Sequence, residues 1–415
     1  MTGMSGLQQV TDPQDKAAVA HVLRRMAFGP RPGQVDRRGG AGAAALVEEL
    51  LAAPAAALVE PQLGSDDDKA AMVKWWVNRM SADDAGLVER MTWFWHSHLT
   101  SSFEKVDQAR MMLGQHQLLY NNALGNFREL LQAITIDPAM LLYLDGAWSE
   151  GKAPNENYAR EAMELFALGR GVYTEADVKA GARALAGWTV SDDGKASFDS
   201  TRAYDKDVTF LGQTGRLDTR AVIDAICDHP ACAPHVVTKL YAHLVGIQLS
   251  DARRDELANV FRDSGLEIRP VVQNIVRHPE FLGTPTRYAR VRGPVEWRGA
   301  ASAVLGINID WNDLWSMGQV PFWPPNVAGW PDQRRWLNAG VALQRAHIAH
   351  DSAWDSIAVD ADDHAAWALD RAGIYDASPA TVDAITAAVA RVEGRREKCT
   401  VALSLVVCAT EFVLC

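Results

Sequence analysis

No stretch of this chain reaches the roughly 18 consecutive apolar residues needed to span a bilayer. The opening segment MTGMSGLQQVTDPQDK lacks the charged-then-apolar plan of an export signal, so the expected location is the cytoplasm. Basic runs are missing as well. With 41 Lys and Arg against 52 Asp and Glu, the net charge is −11, and no segment is suited to neutralising a nucleic-acid backbone or holding an anionic membrane. Neither nucleic acid nor membrane is an expected partner, which leaves a small-molecule or peptide substrate and a partner protein. Cysteine is scarce: Cys227, Cys232, Cys399, Cys408 and Cys415 form no CxxC pair and read as reduced thiols. The chain also has no GxSxG elbow, Walker loop, dinucleotide fingerprint, HExxH or kinase set, and their absence removes most familiar enzyme classes.

What is present is helical periodicity. The 415 residues are 48% hydrophobic, enough for a large core and near the size at which one domain becomes two. The expected fold is all-α, a multi-helix globular bundle with at most a small β-hairpin near 189–210. The expected organisation is a single domain over 1–415, with two helical subdomains, about 1–190 and 211–415 joined by 191–210, as the alternative. Thr174 followed by Asp177 predicts a capping box for a helix over 175–185. Pro154 and Gly169 bracket a predicted helix over 155–168. Two helix endings echo each other, Ile275-Val276-Arg277-His278-Pro279-Glu280-Phe281 and Val406-Val407-Cys408-Ala409-Thr410-Glu411-Phe412.

Three constellations could carry chemistry. Trp93-Phe94-Trp95-His96-Ser97-His98-Leu99-Thr100 gathers aromatics around two histidines. At about 100° per residue a helix points His96 and His98 about 160° apart, so this segment can offer a shared metal one ligand, not two. In Asn155–Phe166, helical projection puts Glu156, Asn157, Arg160, Glu161 and Glu164 on one arc. That face reads either as solvated ion pairs, with Arg160 four residues from both Glu156 and Glu164, or as carboxylates serving a metal or acid–base chemistry. Third, Gly318–Pro331 with Trp336 is too apolar for a free loop. It either lids a pocket with Trp323, Trp330 and Trp336 or plugs a gap between helix layers. His21 beside Arg24-Arg25, His243 after Lys239, and His347 with His350 read as surface or satisfied core positions.

These segments together resemble the bacterial domain-of-unknown-function 1800 family. The resemblance runs through His21-Val22-Leu23-Arg24-Arg25-Met26-Ala27-Phe28-Gly29, Trp93–His98, Asp137-Pro138-Ala139-Met140-Leu141-Leu142-Tyr143-Leu144-Asp145-Gly146, and Asn155–Gly169. It continues through Tyr173–Val178, Gly187-Trp188-Thr189 and Pro324-Pro325-Asn326-Val327-Ala328-Gly329-Trp330-Pro331. Similar members carry a His-Asp pair and a lysine ahead of a Thr-X-Leu-Gly segment. Here that segment is Thr209-Phe210-Leu211-Gly212, preceded by Ala203-Tyr204 and Val208 in the corresponding places. Many relatives look secreted and are encoded beside a sulfatase-like protein. The family name implies no activity.

The leading expectation is therefore a bacterial enzyme, an oxidoreductase or hydrolase, with a polar pocket between helices. Glu161 and Glu164 would act as catalytic carboxylates, Arg160 would anchor an anionic group, and a transition metal would be held by His96 or His98 with Glu161 and Glu164. Trp95, Asn155, Asn157, Trp188 and Trp330 would line the substrate pocket. The alternatives are a non-catalytic binding or scaffold protein using the Trp/Pro-rich loop, and a helical haem protein with an axial histidine.

Overall fold

The computed structural model describes residues 15–64, 68–331, 333–356 and 358–415. Helices dominate, as the periodicity dictates, and their ends follow local chemistry. Asp15, Asn126, Asp137, Asp218, Ser250 and Asn338 each cap a helix by accepting a main-chain N–H in its first turn. Both halves of the Thr174/Asp177 capping box are present, and Pro294 opens the helix Pro294–Leu305 at its first position.

Sheet is confined to two hairpins. Strand β1 (Trp188–Val190) pairs antiparallel with β2 (Ala196–Phe198), and β3 (Val208–Phe210) pairs with β4 (Gln213–Gly215). The second hairpin exceeds the single one expected. It closes through Leu211 and Gly212, both at positive φ (45° and 84°), the backbone of a two-residue primed turn. A leucine at the first of these positions gives no turn signal in the sequence.

The apolar side chains segregate into two large cores. One runs from Ala18 to Phe281, and the other gathers Met72–Met80, Val106–Leu113 and Val295–Phe412. The packing does not divide at 191–210, because Tyr158–Leu168 ahead of that segment and Val222–Phe281 after it share the first core. The two echoed helix endings fall one in each core, Phe281 in the first and Phe412 in the second. In both, an extended residue breaks the helix and a short turn follows. The Phe281 carbonyl accepts from His21 Nε2 (2.8 Å) and the Phe412 carbonyl from Arg292 Nη1 (3.0 Å).

Helix Leu87–His98 lies between the cores: Met91, Phe94 and Trp95 pack into the first, Trp93 into the second. Sandwiched in this way it has almost no solvent face, and its polar residues Glu89, Arg90 and His96 are all buried. Buried polar groups are costly unless paired, so their partners reveal what this helix is for. Among the described residues no helix is long and apolar enough to cross a membrane.

Candidate functional site

His96 and His98 diverge, as helical geometry requires. His96 enters an aromatic cage of Trp76, Trp93, Phe322 and Trp330, with ring centroids 4.8–6.0 Å away. Its Nε2 accepts the main-chain N–H of Phe322 at 3.1 Å. Burial pushes its pKa down to about 3, so the ring is neutral with its lone pair already used. Phe322 itself sits at φ 68° and its carbonyl accepts the Phe103 N–H. Gly329 packs so tightly on the same helix that a Cβ there would stand 2.4 Å from the Ser97 carbonyl oxygen. The Trp/Pro-rich loop is thus a plug: Phe322 and Trp336 are buried, Trp323 and Trp330 partly so, and Trp330 stacks on Trp93 at 5.1 Å.

His98 points into the first core and caps a distorted helix. The predicted helix over 155–168 is α-helical only from Asn157 to Glu161, then widens into a π turn over Ala162–Ala167. Near its C-terminal end, where carbonyls lack helical partners, Phe166 O faces His98 Nε2 at 2.8 Å and Leu165 O faces His235 Nε2 at 3.1 Å. A carbonyl only accepts, so both imidazoles donate from Nε2. Burial, then the neighbouring His235, lowers the His98 pKa to about 3.

The π turn also changes the carboxylate face. Its wider winding rotates Glu164 off the α-helical arc, and Glu164 bonds Arg170 Nε (2.6 Å) and the Tyr173 hydroxyl (2.8 Å) instead of Arg160. Arg160 is paired with the carboxylates of Glu175 (2.6 and 2.8 Å) and Glu156 (3.1 Å), which already offset its charge. The Tyr173 and Arg170 hydrogen bonds lower the Glu164 pKa, whereas burial and then Glu164 raise that of Glu161. Asn157 reaches Asp145 through its side-chain amide (2.9 Å), and the Asn155 side-chain oxygen accepts the Asn157 N–H (2.8 Å). Trp95 donates to the Ala123 carbonyl inside the first core. Among the described residues no three His, Cys, Asp or Glu side chains are placed to share a metal ion. The expected ligand set of His96, His98, Glu161 and Glu164 therefore does not assemble: both histidines are committed to main-chain atoms, and Glu164 is satisfied by Arg170 and Tyr173.

Of the expected pocket residues, Trp188 does line a cavity, of about 850 Å³, together with Phe198 and Tyr204. Its ionisable rim, Glu129, Arg216, Asp218 and Arg220, is exposed. A different cavity, of about 550 Å³, has exposed Asp83 and Asp84 at its rim and a desolvated acid in its wall. Its walls include Leu50, Leu87 and Leu124, the Tyr120 hydroxyl, Arg79, and Glu89 on the helix between the cores. Glu89 is 1% exposed. One oxygen accepts the Trp76 indole N–H at 2.6 Å. The other, Oε2, has no hydrogen-bond partner and lies 3.5 Å from Arg79 Nε. Burial outweighs these contacts and raises the Glu89 pKa to about 7. Behind Glu89, the Trp76 ring meets His96 at 4.8 Å and His116 at 4.4 Å, so the acid backs onto the same aromatic cage. Sequence reasoning missed Glu89 because Leu87-Val88-Glu89-Arg90 reads as the start of an ordinary amphipathic helix. The only available signal was position, since the residue lies in the first turn of the segment richest in aromatics.

Fold and site together define a helical protein with a small cavity that has a desolvated carboxyl group in its wall. The chain belongs to the family described as protein of unknown function (DUF1800), whose model matches residues 21–414. Comparison with curated proteins and with solved structures gives no match.

Proposed function

We propose that this protein is a bacterial cytoplasmic enzyme that performs acid–base chemistry on a small molecule in the 550 Å³ cavity, with Glu89 as the proton-transferring group. The observation that carries this reading is the Glu89 carboxyl itself: buried in a cavity wall, pushed up to about 7, and with Oε2 unpartnered. A group that titrates near the working pH is populated in both forms and can give or take a proton efficiently. Trp76 holds Oε1, so Oε2 is the exchanging atom, and Arg79 at 3.5 Å steadies the carboxylate once the proton has left. The leucine walls favour a substrate with an apolar body, and the enclosed acid favours one that presents a hydroxyl or amine towards Glu89.

The test compares wild type with Glu89→Gln, which keeps the shape and the acceptor for Trp76 but removes the titrating proton. Both are incubated at pH 7 with a bacterial metabolite extract, and consumed species are followed by mass spectrometry. A metabolite consumed by wild type and spared by the variant supports the proposal. Equal consumption by both proteins, or none by either with no extract fraction raising the melting temperature, overturns it.

A further inference from the structure

Arg90, the residue after Glu89, projects from the same helix into a second buried neighbourhood that the Glu89 reading does not use. There Arg25, Arg90, Arg290 and Arg292 are each 2% exposed or less. Arg90 Nη1 bonds Glu296 at 2.8 Å, and Arg290 Nη2 reaches the same oxygen at 3.5 Å. Arg25 Nη2 donates to the Thr286 carbonyl at 2.6 Å. Among the described residues, Glu296 is the carboxylate whose negative field opposes Arg25, Arg90 and Arg292. Among the described residues Glu296 is the carboxylate that reaches these four guanidiniums, which leaves an excess of buried positive charge. Burial lowers the Arg25 pKa, the chief cause, but only to about 9, so it stays charged at neutral pH.

The donors are also left over. Nε and Nη1 of Arg25, Nε and Nη2 of Arg90, Nε and Nη1 of Arg290, and Nε2 of His243 are enclosed and have no hydrogen-bond partner among the described residues. An unpaired guanidinium in an interior is expensive, and so many convergent free N–H groups are the donor set of an anion site. A cavity of about 490 Å³ has His243, Gly246 and Arg290 in its wall, and Arg25 stands behind Gly246. Gly246, at φ 84°, is where the backbone must stay bare: a Cβ there would lie 2.3 Å from Arg290 Cγ and 3.3 Å from Arg25 Nη1. The three guanidiniums arrive from three separate chain segments, which suits oxygens arranged in three dimensions better than the two coplanar oxygens of a carboxylate.

We infer that Arg25, Arg90 and Arg290, with His243 beside them, form a binding site for a tetrahedral oxyanion of the phosphate type, either the free ion or the phosphoryl end of a monoester whose organic part fills the adjoining cavity. This site is separate from the Glu89 cavity, and its test does not depend on any catalysed reaction.

The full chain is titrated with inorganic phosphate, glycerol 3-phosphate, acetate and chloride at matched ionic strength, by calorimetry and thermal unfolding. Saturable binding and a raised melting temperature are expected with phosphate and not with chloride. A tighter glycerol 3-phosphate complex identifies a monoester site, and equal or weaker binding a site for the free ion. Arg290→Gln should weaken phosphate binding roughly ten- to a hundredfold, the worth of one charged hydrogen bond. Because that variant could lose its fold, wild-type crystals soaked in tungstate give an independent measurement, with an anomalous peak expected within hydrogen-bonding reach of Arg25 Nη1 and Arg290 Nη1. Equal effects of phosphate and chloride with no tungstate peak there, or stabilisation by acetate but not phosphate, would overturn the inference.

Discussion

Glu89 and Arg90 leave one helical turn about 100° apart, and each is buried in a different electrostatic environment. On the Glu89 side a single carboxyl has one indole donor and a guanidinium 3.5 Å away, too little to hold it ionised. On the Arg90 side four guanidiniums gather around Glu296. One environment lacks positive charge and the other lacks negative charge. The same peptide segment therefore supplies a protonatable acid to one cavity and a fixed cation to another. What decides the role of each residue is the number of opposite charges that the surrounding helices supply, and residue type alone does not reveal it.

The contrast is broken most severely on the cationic side. Arg90→Met removes the closest partner of Glu296 and leaves that buried carboxylate only Arg290 at 3.5 Å, a loss of about 3 kcal/mol in urea unfolding at pH 7. Arg25→Met removes one hydrogen bond to Thr286 while relieving repulsion from Arg90 and Arg290, so it should cost only about 1 kcal/mol. If the two substitutions cost the same, charge excess is not what distinguishes this cluster.

On the acidic side the test is pH. In the unfolded chain Glu89 titrates near 4.5, and in the folded protein at about 7. Between these values the folded state holds the extra proton, so its stabilising contribution is complete below the lower pKa and is lost as pH rises towards the upper one. Glu89→Gln removes this dependence. The stability of the variant relative to wild type should climb by roughly 2–4 kcal/mol from pH 4.5 to pH 8, measured by urea unfolding at each pH. A constant difference across that range would show that Glu89 is not desolvated.

The fold was largely legible because helical periodicity, capping residues and proline positions are local signals. The Thr174 box appears where it was expected, at the start of the helix Glu175–Ala184. The site was much less so. Glu161 and Glu164 drew attention because they are polar and close in sequence, yet a π turn invisible to a 3.6-residue projection sends Glu164 to Arg170. Arg25 and His243 read as surface or satisfied residues and Arg90 carried no signal, because their burial is imposed by helices from distant parts of the chain. Histidine divergence was predictable from geometry. Which imidazole meets a loop N–H and which meets a carbonyl was not.

The two histidine-capped carbonyls and the Glu164 pair give the smaller effects. His98→Ala leaves Phe166 O without its 2.8 Å donor in a buried setting, and a loss of about 1–3 kcal/mol follows. Glu164→Gln instead weakens an ion pair whose arginine side chain is 84% exposed, where pairing is worth about 0–1 kcal/mol. It should leave both urea stability and the consumption of any metabolite spared by Glu89→Gln unchanged. Loss of that consumption in Glu164→Gln, with stability intact, would return the chemistry to the Asn157–Ala167 helix. Its retention leaves the chemistry with Glu89, the desolvated carboxyl in the wall of the 550 Å³ cavity.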